Sequence, residues 1–175
     1  MMYKIFLFLL VVGQFFFAQQ SSNMHDLIIQ HSGDSLKVQV ISVDDKVVFK
    51  YLNEEATNFL SNNCIDKIIF ASGRVQKFDD KVIITGVKDW EKVIITTNPD
   101  DVKCLVRKGE VRASSSNDWN FKGKMGIDKK ATMKIKKEAA KLNSHVILLE
   151  DQFKKNMTFW SGATSSKYGI AYSYE

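Results

Sequence analysis

The chain has 175 residues, of which 45% are hydrophobic and 26% charged, with a single proline. This balance excludes a disordered or low-complexity polymer, and the length excludes a multidomain enzyme or a bundle of membrane spans. Lys and Arg number 25 against 20 Asp and Glu, a formal charge of +5, so the chain is basic without being a polycation.

Residues 1–18 read as a secretory signal peptide. Met1-Met2-Tyr3-Lys4 supplies one positive charge, residues 5–12 are unbroken apolar, and Phe15-Phe16-Phe17 extends the run to Ala18. Gln19-Gln20-Ser21-Ser22 then turns polar. A charged start, a short apolar stretch and a small residue at the break are the parts of such a signal. The run is shorter than the ~20 residues a bilayer requires. The competing reading is a buried N-terminal helix or strand. Cleavage is expected after Ala18, although Phe16 is bulky for the minus-three position. No Cys follows the run, so a lipidated N-terminal Cys is not expected. The mature protein is expected in the periplasm or outside the cell.

Residues 19–80 read as a β-rich module. A strand over 26–31 meets the turn cluster Ser32-Gly33-Asp34-Ser35. Residues 36–43 alternate, with Leu36, Val38 and Val40 on one face. Asp44-Asp45 turns the chain into Lys46-Val47-Val48-Phe49-Lys50-Tyr51. Residues 52–63 are polar and Asn-rich, which predicts a loop or short helix. A strand over 64–70 turns at Ser72-Gly73 into residues 74–78. The pattern predicts an antiparallel β meander or small barrel.

Residues 81–175 read as an α+β module, and the seam falls near Phe78-Asp79-Asp80-Lys81. A strand over 91–97 ends at the turn Asn98-Pro99-Asp100-Asp101. Val102, Cys104 and Val106 are expected on one face of the next strand, with a bulge or bend at Gly109. Residues 114–118 read as a loop. Ile127, Ala131, Ile135, Ala139 and Leu142 recur at helical spacing, and Asn143 is a plausible stop because Asn tolerates the left-handed conformation. The apolar stripe should pack beneath a strand at 146–149. Residues 157–160 and 168–174 are expected to form a closing hairpin. The fold class is therefore α+β: a β meander or small barrel, then a small sheet with one long helix packed on it.

Two resemblances accompany these patterns. Asp26-Leu27-Ile28-Ile29, Gly33-Asp34, residues 38–43, Val48-Phe49-Lys50-Tyr51 and residues 65–73 resemble a β module of secreted Gram-negative proteins of unknown function. Gly109-Glu110-Val111-Arg112-Ala113-Ser114-Ser115-Ser116, Glu138-Ala139-Ala140-Lys141-Leu142-Asn143 and Val146-Ile147-Leu148-Leu149 are similar to the small domain of the Rcs stress-sensor lipoprotein and of YbjQ-like proteins. Both resemblances imply a fold. Neither implies a catalytic site. The sensor is disulfide-rich and lipid-anchored, which this chain with two Cys does not match, so a sensing role is not implied.

Motifs that carry chemistry are missing: there is no G-x-S-x-G, P-loop, H-E-x-x-H or G-x-G-x-x-G. His25, His31 and His145 are scattered; His25 and His31 fall on one side of a strand, too few for a metal site. The pairs Asp44-Asp45, Asp79-Asp80 and Asp100-Asp101 sit in turns, where Asp is a common turn former. Trp90, Trp119 and Trp160, with Phe159 and Tyr172, suit core or rim packing and less well a ligand groove. Cys64 and Cys104 are the only intramolecular pair available; they either form a bridge after export or remain a free thiol and a buried core residue.

The strongest charge feature is the helix, where Lys130, Lys134, Lys137 and Lys141 line up on one face. That row reads as a solvated face or as a contact surface for an anionic surface or acidic partner. The expected function is binding by an exported, non-enzymatic envelope or secreted protein with no cofactor, no nucleic-acid partner and no transmembrane segment after processing. The alternative is a hydrolase or other enzyme with a site between the two modules.

Overall fold

The computed structural model describes residues 25–117, 124–155 and 163–175. The proposed signal peptide lies outside these residues.

Residues 26–77 supply six strands: β1 (Asp26–Gln30), β2 (Ser35–Val43), β3 (Lys46–Tyr51), β4 (Thr57–Ser61), β5 (Ile65–Ile69) and β6 (Val75–Lys77). They form one sheet of order β4-β3-β2-β1-β5-β6, antiparallel throughout. The tight turns rest on Gly33 and Gly73, whose φ angles of 99° and 84° suit a residue without Cβ. Ile28, Val38, Val47, Phe49, Ile65 and Ile68 form the core, closed by Leu36, Val40, Val43, Leu60, Phe70 and Phe78. All twelve come from this sheet or its immediate flanks, so the sheet bends over its own apolar face. Register shifts at Ile29/Gln30 and Val40/Ser42 supply the bend.

The sheet is open: β4 and β6 stay at opposite ends, so the expected small barrel does not close. The polar stretch 52–63 also differs from expectation. It contains β4 and a 3-10 turn at Asn62–Cys64, because Phe59 and Leu60 suffice for a five-residue edge strand beside β3.

The second sheet contains β7 (Ile94–Thr96), β8 (Val106–Asn117), β9 (Val146–Lys155) and β10 (Ala163–Ser173), in the order β7-β9-β10-β8. β7 pairs with β9 in parallel, and β10 is antiparallel to both β9 and β8. Helix α1 (Lys124–Lys141) lies mainly across β8 and β10, with less contact to β9 than its apolar stripe predicts. Ile135, Ala139 and Ala140 pack there with Val111, Ile147 and Ala171.

Leu142 lies past the helix and is 37% exposed; Ala140 takes the buried position instead. Asn143 has φ 52°, and the helix ends in a Schellman arrangement: Ser144 N–H donates to the Ala139 carbonyl and Asn143 N–H to that of Ala140. Gly109 lies at a bulge, where two residues of β8 face one step of β10. A Cβ at Gly109 would meet Leu142 Cδ1 at 3.3 Å, so glycine lets the helix end sit close. Gly169 on β10 is tighter still, since a Cβ there would collide with the Leu148 backbone.

Three further expectations change. Val102 belongs to a 3-10 turn (Pro99–Val102) and β8 starts only at Val106, so Val102, Cys104 and Val106 do not share a strand. Part of the strand expected over 91–97 is instead a 3-10 turn (Val87–Lys92). Ser114, Ser115 and Ser116 extend β8 because β10 pairs with them, overriding their turn preference. The closing hairpin joins β9 to β10; residues 157–160 lie outside the described residues.

Candidate functional site

The two sheets meet at a joint built around the C-terminus. Cys64, at the end of its 3-10 turn, is bridged to Cys104, just before β8; their Cα atoms are 6.3 Å apart across 40 residues of sequence. Around the bridge, Val102, Leu105, Val146 and Tyr174 form a small core of their own, with Leu148 and Tyr172 against it. Because Cys64 and Val146 belong to opposite halves of the chain, this core fastens one sheet to the other.

The same joint gathers two histidines that sequence spacing had left scattered. His31 N–H donates to the Cys64 carbonyl at 2.9 Å, and its ring meets Tyr174 edge-on at 5.1 Å between centroids. His145 stacks on that tyrosine at 3.8 Å. It is held there at the start of β9, where its N–H donates to Tyr172 and its carbonyl accepts from Ile94. Lys81 Nζ lies 5.4 Å from the Tyr174 ring and 3.0 Å from Glu175 Oε1.

Burial dominates the electrostatics. His145 is 1% exposed, and neither ring nitrogen has a hydrogen-bond partner among the described residues. Burial first, then the charges of His31 and Lys81, push its pKa down to about 4. The Tyr174 phenol is pushed up by burial, against a weaker opposing effect of the Val82 N–H that donates to its Oη. The His145 imidazole is therefore neutral near pH 7 and packed ring on ring. A cavity of about 240 Å³ opens beside the joint, lined by Lys81, Ile83, Lys108, Asn143, Tyr174 and Glu175. Neither imidazole lines it; its ionisable groups are Lys81, Lys108, Tyr174 and Glu175.

The lysine row is exposed at Lys130, Lys134 and Lys141 and half-buried at Lys137. Three of the four meet protein groups: Lys134 Nζ donates to the Ser114 carbonyl at 2.8 Å, Lys141 pairs with Glu138 at 2.7 Å, and Lys137 lies 5.6 Å from the Trp90 ring. Trp90 packs against the helix-covered core and Tyr172 against the joint; Trp119, Phe159 and Trp160 lie outside the described residues. Asp101 accepts from Thr96 Oγ1 at 2.6 Å, and Asp100 pairs with Lys103 at 2.8 Å, both local ties around a turn. Among the described residues no group of three or more His, Cys, Asp or Glu could hold a metal ion.

An ion pair made by a buried lysine is not legible in the sequence pattern. Lys167, only 8% exposed, occupies a helix-facing position of β10, and its Nζ lies 3.2 Å from Asp128 Oδ1. Ser165 Oγ donates to the same oxygen at 2.9 Å, so the carboxylate ties the first turns of α1 to the sheet. The sequence gives little sign of it: residues 163–171 alternate in burial, but the large apolar residues Tyr168 and Ile170 fall on the side opposite Lys167.

No helix among the described residues is long and apolar enough to cross a membrane. Comparison with protein-family models, curated proteins and solved structures gives no match.

Proposed function

We propose that the chain is an exported, non-catalytic protein that acts by binding in the cell envelope or outside the cell. The observation that carries this reading is the Cys64–Cys104 bridge, because structural disulfides persist in oxidising compartments. The N-terminal charge, apolar run and Ala18 supply the export signal in this reading. The resemblances to envelope and secreted domains belong to the same proposal. His31 and His145 support a binding role over a catalytic one, since both pack on Tyr174 and neither lines the cavity beside the joint.

The test is N-terminal sequencing of the exported protein together with non-reducing mass spectrometry. The expected result is a mature start at Gln19 or within a few residues of it, and no alkylatable thiol. Retention of Met1 or Met2, or two free thiols, would overturn the proposal.

A further inference from the structure

The face of the second sheet opposite α1 carries an ordered set of side chains that the joint does not use. On β10, Ala163, Ser165, Lys167 and Ala171 face the helix, so Ser166 and Tyr168 point the other way. Strand register aligns their neighbours. Tyr168 stands between Arg112 on β8 and Asp151 on β9; Ser166 stands between Ser114 on β8 and Phe153 on β9. The result is two rows of three. Cross-strand neighbours are ~5 Å apart and successive same-face residues ~7 Å, so the array covers about 10 by 7 Å. These six residues, with Ala113 and Lys167, line an open depression of about 510 Å³.

The chemistry of the array is specific. Phe153 is 58% exposed, an uncovered aromatic face in the middle of polar groups. The Arg112 guanidinium lies 4.6 Å from the Tyr168 ring centroid, which keeps its donors beside the depression. Asp151 supplies an acceptor on the other side. Ser166 Oγ donates to Ser114 Oγ at 3.3 Å, leaving hydroxyl capacity toward the opening. An apolar ligand would strand four of these six groups. A ligand with an apolar ring face and a rim of hydroxyls satisfies them: the ring stacks on Phe153, and the hydroxyls meet the guanidinium, the carboxylate and the serines. Arg112 pairs with Glu110 at 3.7 Å and Lys167, at the edge of the depression, with Asp128 at 3.2 Å, so both cations already have carboxylate partners, which suits a neutral sugar over a carboxylated one.

We infer that this face, lined by Arg112, Ser114, Asp151, Phe153, Ser166 and Tyr168, binds a neutral pyranose segment of a glycan. The inference rests on the reading that the chain acts by binding, but its test does not depend on export. Maltohexaose, chitohexaose and hexagalacturonate are titrated into the purified, oxidised protein, followed by amide chemical shifts and calorimetry. At least one neutral hexasaccharide should move the amides of Ser114, Ser166 and Tyr168, and the acidic one should bind at least tenfold more weakly. Phe153→Ala, an exposed change that leaves both cores intact, should weaken neutral-sugar binding about tenfold or more; Arg112→Gln should weaken it several-fold. Absence of binding by both neutral sugars, equal binding by Phe153→Ala, or preference for the acidic sugar would overturn the inference. So would Phe153-dependent self-association in place of sugar binding. Correct export with a formed disulfide but no sugar binding would reject this site and leave the broader proposal standing.

Discussion

The two sheets solve the problem of covering an apolar face differently. The first uses no helix: six short strands bend, through two register shifts, until side chains of the same sheet cover one another. The second stays broad enough for an 18-residue helix to lie across β8 and β10, and small residues at Ala131, Ala139 and Ala140 let that helix sit close. Their polar ties differ in the same way. In the first sheet Asp26 accepts from the Val40 and Ala71 N–H groups, both at 2.8 Å, a carboxylate holding backbone to backbone. In the second, Asp128 holds side chains, Lys167 and Ser165, and so fixes a helix to a strand. A bent sheet needs its chain path pinned; a helix on a sheet needs its seat specified.

The largest expected effect tests whether the two solutions are independent. Replacing Cys64 and Cys104 by Ala should lower stability by ~4 kcal/mol on the chain-entropy estimate for a 40-residue loop, read from urea denaturation. If the sheets are cooperative only through the joint, the single transition should also split in two. A smaller effect is expected from pH. The folded pKa of His145 is about 4 against an ordinary value near 6.5, so the unfolded chain binds its proton more readily. The contribution is therefore complete above pH ~6.5 and is lost as pH falls toward 4, by up to ~3 kcal/mol. His145→Phe, which retains an aromatic surface for Tyr174, should flatten that part of the stability profile.

Two matched substitutions then separate the sheets. Asp26→Ala and Asp128→Ala should each cost about 2 kcal/mol, since charge-assisted hydrogen bonds are lost and partners are stranded. Hydrogen exchange should report the first loss in β1, β2 and β5, and the second in α1 and β10. Equal loss of protection everywhere would mean that the joint makes one cooperative unit of both. The smallest change is Asn143→Ala, which should cost ~1 kcal/mol by forcing an unfavourable residue into the left-handed region and should be confined to the second sheet.

Legibility from sequence follows the same division. The first sheet was readable because its pairings are mostly between neighbours in the chain: alternation at Leu36, Val38 and Val40 and glycines at the turns fix β1 to β3 directly. The helix, its stop at Asn143 and the bulge at Gly109 were equally local. What stayed hidden depends on distant partners. Ser114 to Ser116 join a strand only because β10 arrives some fifty residues later, and Val102 leaves its expected strand because a turn is capped by Asn98. The joint was half visible: two Cys suggested a bridge, but nothing in the spacing of His31, His145 and Tyr174 announces that they share one stack. The array on the open face was invisible for the same reason, since each of its rows is drawn from three strands.

The contact between Lys134 and the Ser114 carbonyl gives the helix lysines a meaning separate from any partner. β8 is twelve residues long and forms one border of its sheet, whereas the opposite border, β7, has only three. A long border strand invites another chain to add a strand, and a lysine placed over it is one way such additions are discouraged. Lys134 reaches from the helix to occupy a backbone acceptor on that border, which the bulge at Gly109 also makes irregular. Changing Lys130, Lys134, Lys137 and Lys141 together to Gln would thus remove a guard against fibrous or stacked assembly as well as positive charge. A fall in recovery of such a variant at high protein concentration, reversed by restoring Lys134 alone, would place the safeguard at that one side chain.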